Sequence, residues 1–442
     1  MPALALTGGA PVRTEPFPAW PVFPEPDIAA LADRLRAGDR SDDDPVIEFE
    51  QAFAAVHGAR YGIGLNSGTS ALELALQALR LDRGAEVIVS PITFFASISA
   101  ILNAGLVPIF ADIDPDTYNI APAAIQSAIT PRTGAIMTVH FGGVSCDMQP
   151  ILDIARRHNL AIVEDVSHAH GGTWNHRGLG SIGDAGCFSC GSGKNLSAGG
   201  GGVLITNKPL IHERASGYGE LNHPRRQRRR EVTGARETRP ATDEFFPYSS
   251  GNRRLHPVHA VLGLPQLQRL DQQTARRDAN GRYLASLLDD IDGVTPRRQD
   301  PFATRAANHL FVLRYNARAF GGLSRELFVK ALNAEGIPCQ TEYHRPMHRA
   351  DLFADVDGEL SRVWPRANGA PDVDYAAMSC PSAERACAQE MVTLPTHVTL
   401  DTRDGMDQIL TAIEKIQTHQ SELAAYLPET PSEQSQWSIS GR

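Results

Sequence analysis

Between residues 61 and 166 the sequence alternates short apolar runs with amphipathic stretches, and this alternation limits the fold more than any other feature. The apolar runs read YGIGLN, EVIVS, VPIF, GAIMTVH and LAIVEDV. Short apolar and β-branched runs separated by amphipathic stretches of about ten residues are typical of βα units and a mostly parallel sheet. We therefore predict an α/β protein whose polar residues just after the strands line a ligand site.

A second region of different pattern follows. Residues 258–288 predict a long helix or helix pair, and HLFVLRY (309–315) predicts a strand. Further helices are expected over 324–334 and near 405–420. At 442 residues the chain exceeds the size at which single cores stop growing. We predict an N-terminal arm (1–30), a large domain (31–255), a linking helix with a smaller C-terminal α/β domain (256–425) and a disordered tail (426–442).

Composition excludes several classes of partner and location. The net charge of −9 argues against nucleic acid as the main partner, because phosphate binding needs clustered cations. No apolar run approaches the roughly 20 residues that span a bilayer, and the N-terminus is too polar and proline-rich for a signal peptide. The six cysteines are scattered, which is typical of a reducing compartment. We expect a cytoplasmic protein with no membrane and no nucleic-acid partner.

Two local motifs allow more than one interpretation. Cys187 and Cys190 form a C-x-x-C that could be a zinc half-site or a redox motif, although two small residues at a buried strand end is the favoured interpretation. Residues 225–239 are rich in arginine. They are expected to form a solvated loop, and the sharper alternative is an anion-binding loop over a substrate or a partner subunit.

The stretch NSGTSALELAL (66–76) places small and hydroxyl residues where a strand ends and a helix begins. Free backbone amides and the helix dipole make such a junction an anion site, so Gly68, Thr69 and Ser70 are candidates to hold a phosphate. The same hydroxyl residues could be ordinary helix caps.

The stretch LAIVEDVSHAHG (160–171) places Glu164 and Asp165 at the end of an apolar strand, before His168 and His170. A buried carboxylate is costly unless it pairs with a cation or a metal. Three interpretations stay open: a metal site, an acid/base group, or a carboxylate that pairs with a protonated ring nitrogen of a cofactor. The metal interpretation lacks a further clustered ligand, and we predict no metal.

Lys194 lies in the glycine-rich stretch FSCGSGKNLSAGGGG (188–202). A phosphate-binding P-loop would need Gly where Phe188 stands and Ser or Thr where Asn195 stands. An amine presented at a sheet edge can instead act as nucleophile and base. A phosphate site, a buried Asp and a presented Lys together are the set that pyridoxal 5'-phosphate requires.

These residues lie in blocks that resemble the DegT/StrS family of sugar and cyclitol aminotransferases, which are pyridoxal-phosphate enzymes of fold type I. The resemblance runs from about Phe17 to Gln417. Six blocks occur in family order, namely NSGTSALELAL, SPITFFASISAILNAG, DIDPDTYNI, EDVSHAHGGTW, GDAGCFSCGSGKNLSAGGGG and SGNRRLHPVHAVLGLPQL. The resemblance implies an aspartate-aminotransferase-like fold, with a mostly parallel seven-stranded sheet in the large domain and a smaller C-terminal α/β domain.

The resemblance also implies roles for individual residues. Lys194 would form the Schiff base with the cofactor, and Asp165 would pair with the pyridinium nitrogen. Phe94 would stack on the ring, and His168 would lie beside the phenolic oxygen. The catalytic set implied is therefore Lys194, Asp165 and His168.

The phosphate of the cofactor would have ligands from two subunits. Gly68, Thr69 and Ser189 would hold it from one chain, with Ser70 beside them. Asn252 matches a residue that the family sends across a dimer interface to the neighbouring subunit's phosphate. A homodimer with shared active sites is thus implied.

The sequence departs from the family pattern in the glycine-rich loop. Gly200 stands where the family usually has Glu, and Arg253 stands where an aromatic residue often follows the interface Asn. Because glycine adds backbone freedom, this departure predicts a wider or more mobile wall of the active site.

The lead-in TGGAPVRTEPFPAWPVFPEPDI resembles the cyclitol and aminohydroxybenzoate branches of the family. We therefore expect transfer of an amino group from L-glutamine or L-glutamate to a cyclitol or sugar ketone in antibiotic biosynthesis. The alternatives are a nucleotide-sugar aminotransferase, a dehydratase or aminohydroxybenzoate-synthase-like enzyme with the same cofactor, and a binding protein without catalysis. Lys194 argues against the family's sugar dehydratases, which carry His at that position.

Overall fold

The computed structural model describes residues 3–37, 45–219, 251–354, 360 and 373–424. The arginine-rich segment (225–239) and the tail predicted to be disordered (426–442) lie outside the described residues. Within the described residues, no helix combines the length and the apolar character needed to cross a membrane.

A seven-stranded sheet forms the centre of the larger part of the molecule, and a two-stranded hairpin lies beside it. The strands of these two sheets are β1 (Tyr61–Leu65), β2 (Glu86–Val89), β3 (Val107–Phe110), β4 (Thr133–Val139), β5 (Ala161–Asp165), β6 (Thr173–Trp174), β7 (Arg177–Gly178), β8 (Ala185–Ser189) and β9 (Gly202–Thr206). The order in the large sheet is β1-β9-β8-β5-β4-β2-β3, and β6 pairs with β7. Only β9 runs antiparallel to its neighbours β1 and β8. The prediction of a mostly parallel seven-stranded sheet is confirmed.

Helices cover this sheet because its strands are apolar on both faces. They are α1 (Glu25–Ala37), α2 (Pro45–Val56), α3 (Gly68–Leu79), α4 (Phe95–Asn103), α5 (Pro122–Ala128), α6 (Met148–His158) and α7 (Pro209–Gly219). The first turn of α3 shows how the sequence sets a boundary, since the side chain of Ser67 caps the amide of Ser70. At the other end Arg80 adopts a left-handed conformation and terminates the helix.

The C-terminal part of the described chain has a smaller antiparallel sheet and its own hydrophobic core. Its elements are the long helix α8 (Pro257–Leu288), β10 (Val294–Pro296), β11 (Leu310–Tyr315), α9 (Arg325–Ala334), α10 (Asp351–Ala354), α11 (Pro381–Arg385), β12 (Met391–Pro395), α12 (Arg403–Thr418) and α13 (Gln420–Ala424). The sheet order is β10-β11-β12. The helices and the strand predicted for this region are present, whereas the residue limits of the two domains stay a prediction.

The N-terminal arm packs against this smaller part through one buried carboxylate. Glu335 accepts hydrogen bonds from the amides of Ala5 and Val12 at 2.8 and 3.0 Å. It also pairs with the ammonium group of Lys415 at 2.8 Å. The arm therefore joins the core of the smaller sheet.

Candidate active site

Asp165 ends the central strand β5, and its carboxylate is held in one orientation. Its Oδ2 accepts a hydrogen bond from the Ser97 hydroxyl at 2.8 Å, and its Oδ1 accepts one from the Ser167 amide at 3.1 Å. Because the single hydroxyl proton of Ser97 goes to Asp165, the 2.7 Å contact with Thr93 places Thr93 as donor to Ser97. The prediction that Asp165 is a buried carboxylate at a strand end is confirmed.

Lys194 lies between β8 and β9 and is half-buried. Burial lowers the pKa of Lys194, and the opposing attraction of Asp165 and Glu342 does not cancel that effect. Its backbone carbonyl accepts a hydrogen bond from the indole of Trp20 at 3.0 Å. The protein therefore fixes the main chain of this lysine, and the lowered pKa makes its ammonium group easier to convert to the nucleophilic amine than that of an ordinary lysine.

The N-terminus of α3 packs directly against the ends of β8 and β9. A Cβ added to Gly68 would lie 2.7 Å from the Cβ of Ser189, and one added to Gly202 would lie 2.5 Å from the Ser67 carbonyl carbon. Because the Ser67 hydroxyl already accepts the hydrogen bond of the Ser70 amide, the amides of Gly68 and Thr69 are the ones that could donate to an anion. The structure brings Gly68 and Ser189 together, with Thr69 next in the chain, and their role in holding a phosphate stays a prediction.

Ser70 lies in the helix-cap environment that the sequence left open as an alternative. Its hydroxyl donates to the side-chain oxygen of Asn66 at 2.7 Å, and the hydroxyl of Ser67 lies 3.1 Å away. Ser70 therefore takes part in the cap of α3, and a contact between its hydroxyl and a phosphate stays a prediction.

His168 is buried, and its hydrogen bonds define the tautomer. The amide of Gly142 donates to Nδ1 of His168 at 3.3 Å, so the ring proton belongs on Nε2. Burial, together with the positive charge of Lys194, holds the pKa of His168 well below its usual value. His168 is therefore a neutral donor through Nε2.

Phe94 precedes the first turn of α4 and leaves much of its ring exposed. Its exposed fraction is 44%, that of Phe95 is 47%, and the two ring centroids lie 4.3 Å apart. An exposed aromatic pair beside a cluster of buried polar groups is an expected surface for a ring ligand or a partner chain.

Asn252 is exposed, and its side-chain oxygen accepts a hydrogen bond from Arg254 at 2.9 Å. The neighbouring Arg253 carbonyl accepts from the amide of Asn66, and the Arg253 guanidinium pairs with Glu73 on α3. Asn252 thus lies near the start of α3, on a surface that a second chain could reach. Its predicted role across a dimer interface stays a prediction.

His309 is a candidate site residue that the sequence analysis missed. Its ring centroid lies 4.4 Å from that of His168, and its Nδ1 lies 3.1 Å from the side-chain oxygen of Asn195. Asn195 also accepts from the hydroxyl of Thr396 at 2.8 Å and donates to the carbonyl of Ala307 at 2.6 Å. The only signal in the sequence was a polar residue immediately before the apolar run of β11.

Glu342 was missed as well. It approaches the site on the segment that follows α9, where Gln340 bridges to Thr393 of β12 and the ring of Tyr343 lies 6.0 Å from that of Phe141. Burial raises the pKa of Glu342, and the charge of Lys194 opposes that shift. No motif in the sequence pointed to this carboxylate.

The glycine-rich loop differs from our expectation at Gly200. A Cβ at this position would lie 2.8 Å from the His259 ring of α8, which therefore occupies the space where a side chain would begin. His259 is itself held by a contact of 2.9 Å between its Nδ1 and the carbonyl of Ala198. At Gly200 the space beside the loop is therefore filled by the His259 ring of α8, whereas a Cβ at Gly193 would meet open space.

The other polar residues and the two cysteines that the sequence analysis considered are buried and belong to the framework of the protein. The Glu164 carboxylate accepts hydrogen bonds from the amides of Gly180, Ile182 and Gly183 at 2.7 to 2.9 Å. His170 is fully buried and packs edge-on against Phe188. Cys187 and Cys190 are buried free thiols, and burial raises the pKa of each.

These groups fit pyridoxal phosphate better than a metal. Within the described ranges no group of three or more His, Cys, Asp and Glu side chains is placed to hold a metal ion. The cradle of Gly68 and Ser189 suits a phosphate, the oriented Asp165 carboxylate suits a protonated ring nitrogen, and the Lys194 amine suits a covalent bond to an aldehyde.

Comparisons with known proteins agree with this chemistry. The model of the DegT/DnrJ/EryC1/StrS aminotransferase family matches residues 24–414. The chain is 33% identical to a putative L-glutamine:3-amino-2,3-dideoxy-scyllo-inosose aminotransferase of Micromonospora echinospora, over 93% of this chain and 96% of that protein. It is also 33% identical to the L-glutamine:scyllo-inosose aminotransferase of Streptomyces griseus, over 94% and 97% of the two chains.

A solved structure is similar over a comparable length. The crystal structure of 3-amino-5-hydroxybenzoic acid synthase superposes with a TM-score of 0.78 at 31% sequence identity. The match covers 92% of this chain and 99% of that one.

Proposed function

Because this chain belongs to the DegT/DnrJ/EryC1/StrS aminotransferase family and is a pyridoxal-phosphate-dependent aminotransferase of fold type I, we propose that it aminates a cyclitol or sugar ketone. The amino donor is L-glutamine or L-glutamate, and the pathway is one of antibiotic biosynthesis. The observation that carries the proposal is the half-buried Lys194 amine, whose pKa is lowered, at the sheet edge where Asp165 ends β5. The names of the scyllo-inosose aminotransferases support the choice of donor and acceptor.

In this proposal Lys194 acts twice. When bound, pyridoxal phosphate supplies an aldehyde for covalent attachment and an electron sink for the carbon that loses a proton. The neutral Nζ of Lys194, once released by the amino donor, takes the proton from the donor's Cα. Nζ would then give that proton to the cofactor carbon that carries the amino group. In the second half of the reaction it would take a proton back from that carbon and give it to the carbon of the acceptor, which leaves as an amine.

Asp165 and His168 position and polarise the ring in the same proposal. The Asp165 carboxylate, held by Ser97 and Ser167, keeps a proton on the ring nitrogen. The Nε2 proton of His168 is donated toward the phenolic oxygen, because Nδ1 already accepts from Gly142. Phe94 would cover one face of the ring, and Gly68, Thr69 and Ser189 would hold the phosphate, with Ser70 beside them.

We also propose a homodimer with shared active sites and a cytoplasmic location. The exposed Asn252 and the exposed Phe94 and Phe95 pair support an interface beside the site. The six cysteines are all buried and free, which supports a reducing compartment.

Spectroscopy of a Lys194→Ala protein tests the assignment of the catalytic lysine. The wild-type protein reconstituted with pyridoxal phosphate should show a visible absorbance band. Treatment with borohydride should abolish this band and leave the cofactor covalently attached. Lys194→Ala should bind the cofactor without covalent capture and should not transaminate. A variant that is still captured by borohydride, or still transaminates, would refute the assignment.

The acceptor is tested with a panel of ketones. With L-glutamine as donor, scyllo-inosose or a related cyclitol ketone should give the highest kcat/KM. Higher kcat/KM with a dTDP-ketosugar, falling steeply as salt rises, would point to diphosphate binding by arginines and overturn the cyclitol proposal.

A further inference from the structure

A cavity of about 500 Å³ lies between the two parts of the molecule, and none of the residues assigned to catalysis lines it. Its walls come from the turn before α5, the C-terminal half of α8, and strands β10 and β11. We call it the arginine cleft, because Arg282, Arg297, Arg298 and Arg314 line it. Its volume is within the range of small-molecule sites, which runs from about 300 to 1,000 Å³.

Arg297 is the buried cation of this cleft. Its guanidinium donates to the carbonyls of Phe141 and Gly142, and among the described residues it makes no salt bridge to a carboxylate. Burial lowers the pKa of Arg297 to about 9. A buried guanidinium without a carboxylate partner is costly, and an anion in the cleft would offset that cost.

Tyr118 supplies a second and independent observation. It lines the cleft and is 1% exposed, and its hydroxyl has no hydrogen-bond partner within the described residues. The residue also has a positive φ of 59°, a conformation that non-glycine residues seldom adopt. A buried hydroxyl donor without an acceptor is rare in folded proteins and requires an explanation.

The other arginines of the cleft are partly neutralised. Arg298 and Arg314 share the Asp116 carboxylate, each at 2.8 Å, and Arg298 also reaches Asp300 at 2.8 Å. Arg282 pairs with Asp278 at 3.1 Å. The carboxylates of Asp116 and Asp289 also line the cleft, so the cation without a carboxylate partner among the described residues is Arg297.

We propose that the arginine cleft binds a small molecule through a carboxylate or phosphate group, with Arg297 and Tyr118 as its donors. Arg297 gives the N–H donors that it does not use on the carbonyls of Phe141 and Gly142, and Tyr118 gives one O–H donor. The site is separate from the one that holds pyridoxal phosphate, since none of the residues that we assigned to that cofactor lines the cleft.

Titration calorimetry of the holoenzyme tests this site with inorganic phosphate and with citrate, against sodium chloride at equal ionic strength. The loaded cofactor keeps the probes out of its own phosphate cradle. One probe ion per chain should bind, and the preferred probe tells whether the oxyanion is a phosphate or a carboxylate. Absence of binding by either probe up to about 10 mM would overturn the proposal.

Three variants locate the binding. Arg297→Gln should weaken it by about tenfold or more, and Tyr118→Phe, which removes only the hydroxyl, by about fivefold. Ser286→Trp places a large ring at the exposed mouth of the cleft and should abolish binding. This variant keeps the test valid if Arg297→Gln fails to fold.

Ser127→Trp is the matched control for the mouth variant. Ser127 is likewise an exposed helical serine whose hydroxyl donates to a carbonyl of its own helix, and it does not line the cleft. The control should bind the probe like the wild type. Binding of equal affinity in wild type, Ser286→Trp and Tyr118→Phe would place the ion elsewhere and refute the proposal.

Discussion

At the scale of single residues, the site depends on side chains that orient the reactive groups. Asp165 makes hydrogen bonds to Ser97 and Ser167. His168 takes its tautomer from the Gly142 amide, and the carbonyl of the same peptide, that of Phe141, in turn accepts a hydrogen bond from Arg297. Such supporting contacts matter because a reactive group must be held within a fraction of an ångström of its working position.

Ser97→Ala tests the support of Asp165. Removing a buried hydroxyl that donates to a carboxylate should lower the free energy of unfolding by about 1.5 to 3 kcal/mol and lower kcat by about tenfold. Urea unfolding and steady-state kinetics measure the two effects. Thr93→Val is the control, since it leaves the bond from Ser97 to Asp165 in place, and equal losses of activity in both variants would contradict the argument.

The lowered pKa of Lys194 predicts a dependence of stability on pH in the cofactor-free protein. Below the folded-state pKa the folded protein bears the whole cost of a partly buried charge, and above the ordinary pKa of lysine, about 10.4, that cost is absent. Lys194→Met should therefore stabilise the protein most at neutral pH, by an amount that shrinks as the pH rises through the folded-state pKa.

Urea unfolding of the two cofactor-free proteins from pH 6 to 10 measures this trend. Lys330→Met on α9, at an exposed position, is the control and should show no comparable trend because no charge is buried there. A stability difference between Lys194→Met and wild type that grows with pH would show that the sign is wrong.

At the scale of elements, the loop between β8 and β9 and the helix α8 form one wall. The His259 ring fills the space beside Gly200, whereas Gly199 and Gly201 have positive φ values of 71° and 90° that favour glycine. Gly200 does not have a positive φ, so what excludes a side chain at this position is the His259 ring on α8.

A double-mutant cycle tests this pairing. Gly200→Glu should destabilise the protein by about 1 to 3 kcal/mol, because its Cβ would overlap the His259 ring. In a His259→Ala background the same change should cost clearly less. Urea unfolding of the four proteins gives the coupling energy, and strictly additive effects would contradict the proposed contact.

At the scale of the whole molecule, the proposed shared sites can be tested by mixing two variants. Lys194→Ala lacks the amine, and Asn252→Ala lacks the residue proposed to reach the partner's phosphate. In mixed dimers one of the two sites regains both residues. Equal mixing after dissociation should therefore restore about a quarter of the wild-type activity.

The readouts are activity and sedimentation of the mixture. Each variant refolded alone is the control and should stay low in activity. A dimeric mixture that gains no activity would refute the role of Asn252 across the interface, and a monomeric wild type would refute the homodimer.

Much of the fold and part of the site could be predicted from local patterns. The alternation of apolar runs with amphipathic stretches indicated the parallel sheet. It also predicted which residues, such as Asp165, lie at the ends of the strands. Ser70 shows the limit of this approach, because a hydroxyl at the start of a helix can either contact a phosphate or take part in the helix cap. In the structure its amide donates to the Ser67 hydroxyl and its own hydroxyl donates to Asn66.

The sequence by itself determined the sheet and the family and predicted the reactive groups, because these depend on periodicity and on motifs within short stretches. Only the tertiary structure decided which distant side chains serve them. Ser97 lies 68 positions from Asp165, Trp20 lies 174 from Lys194, and His309 lies 114 from Asn195. Their contacts depend on strand order and helix packing, which bring together residues whose spacing along the chain carries no local signal.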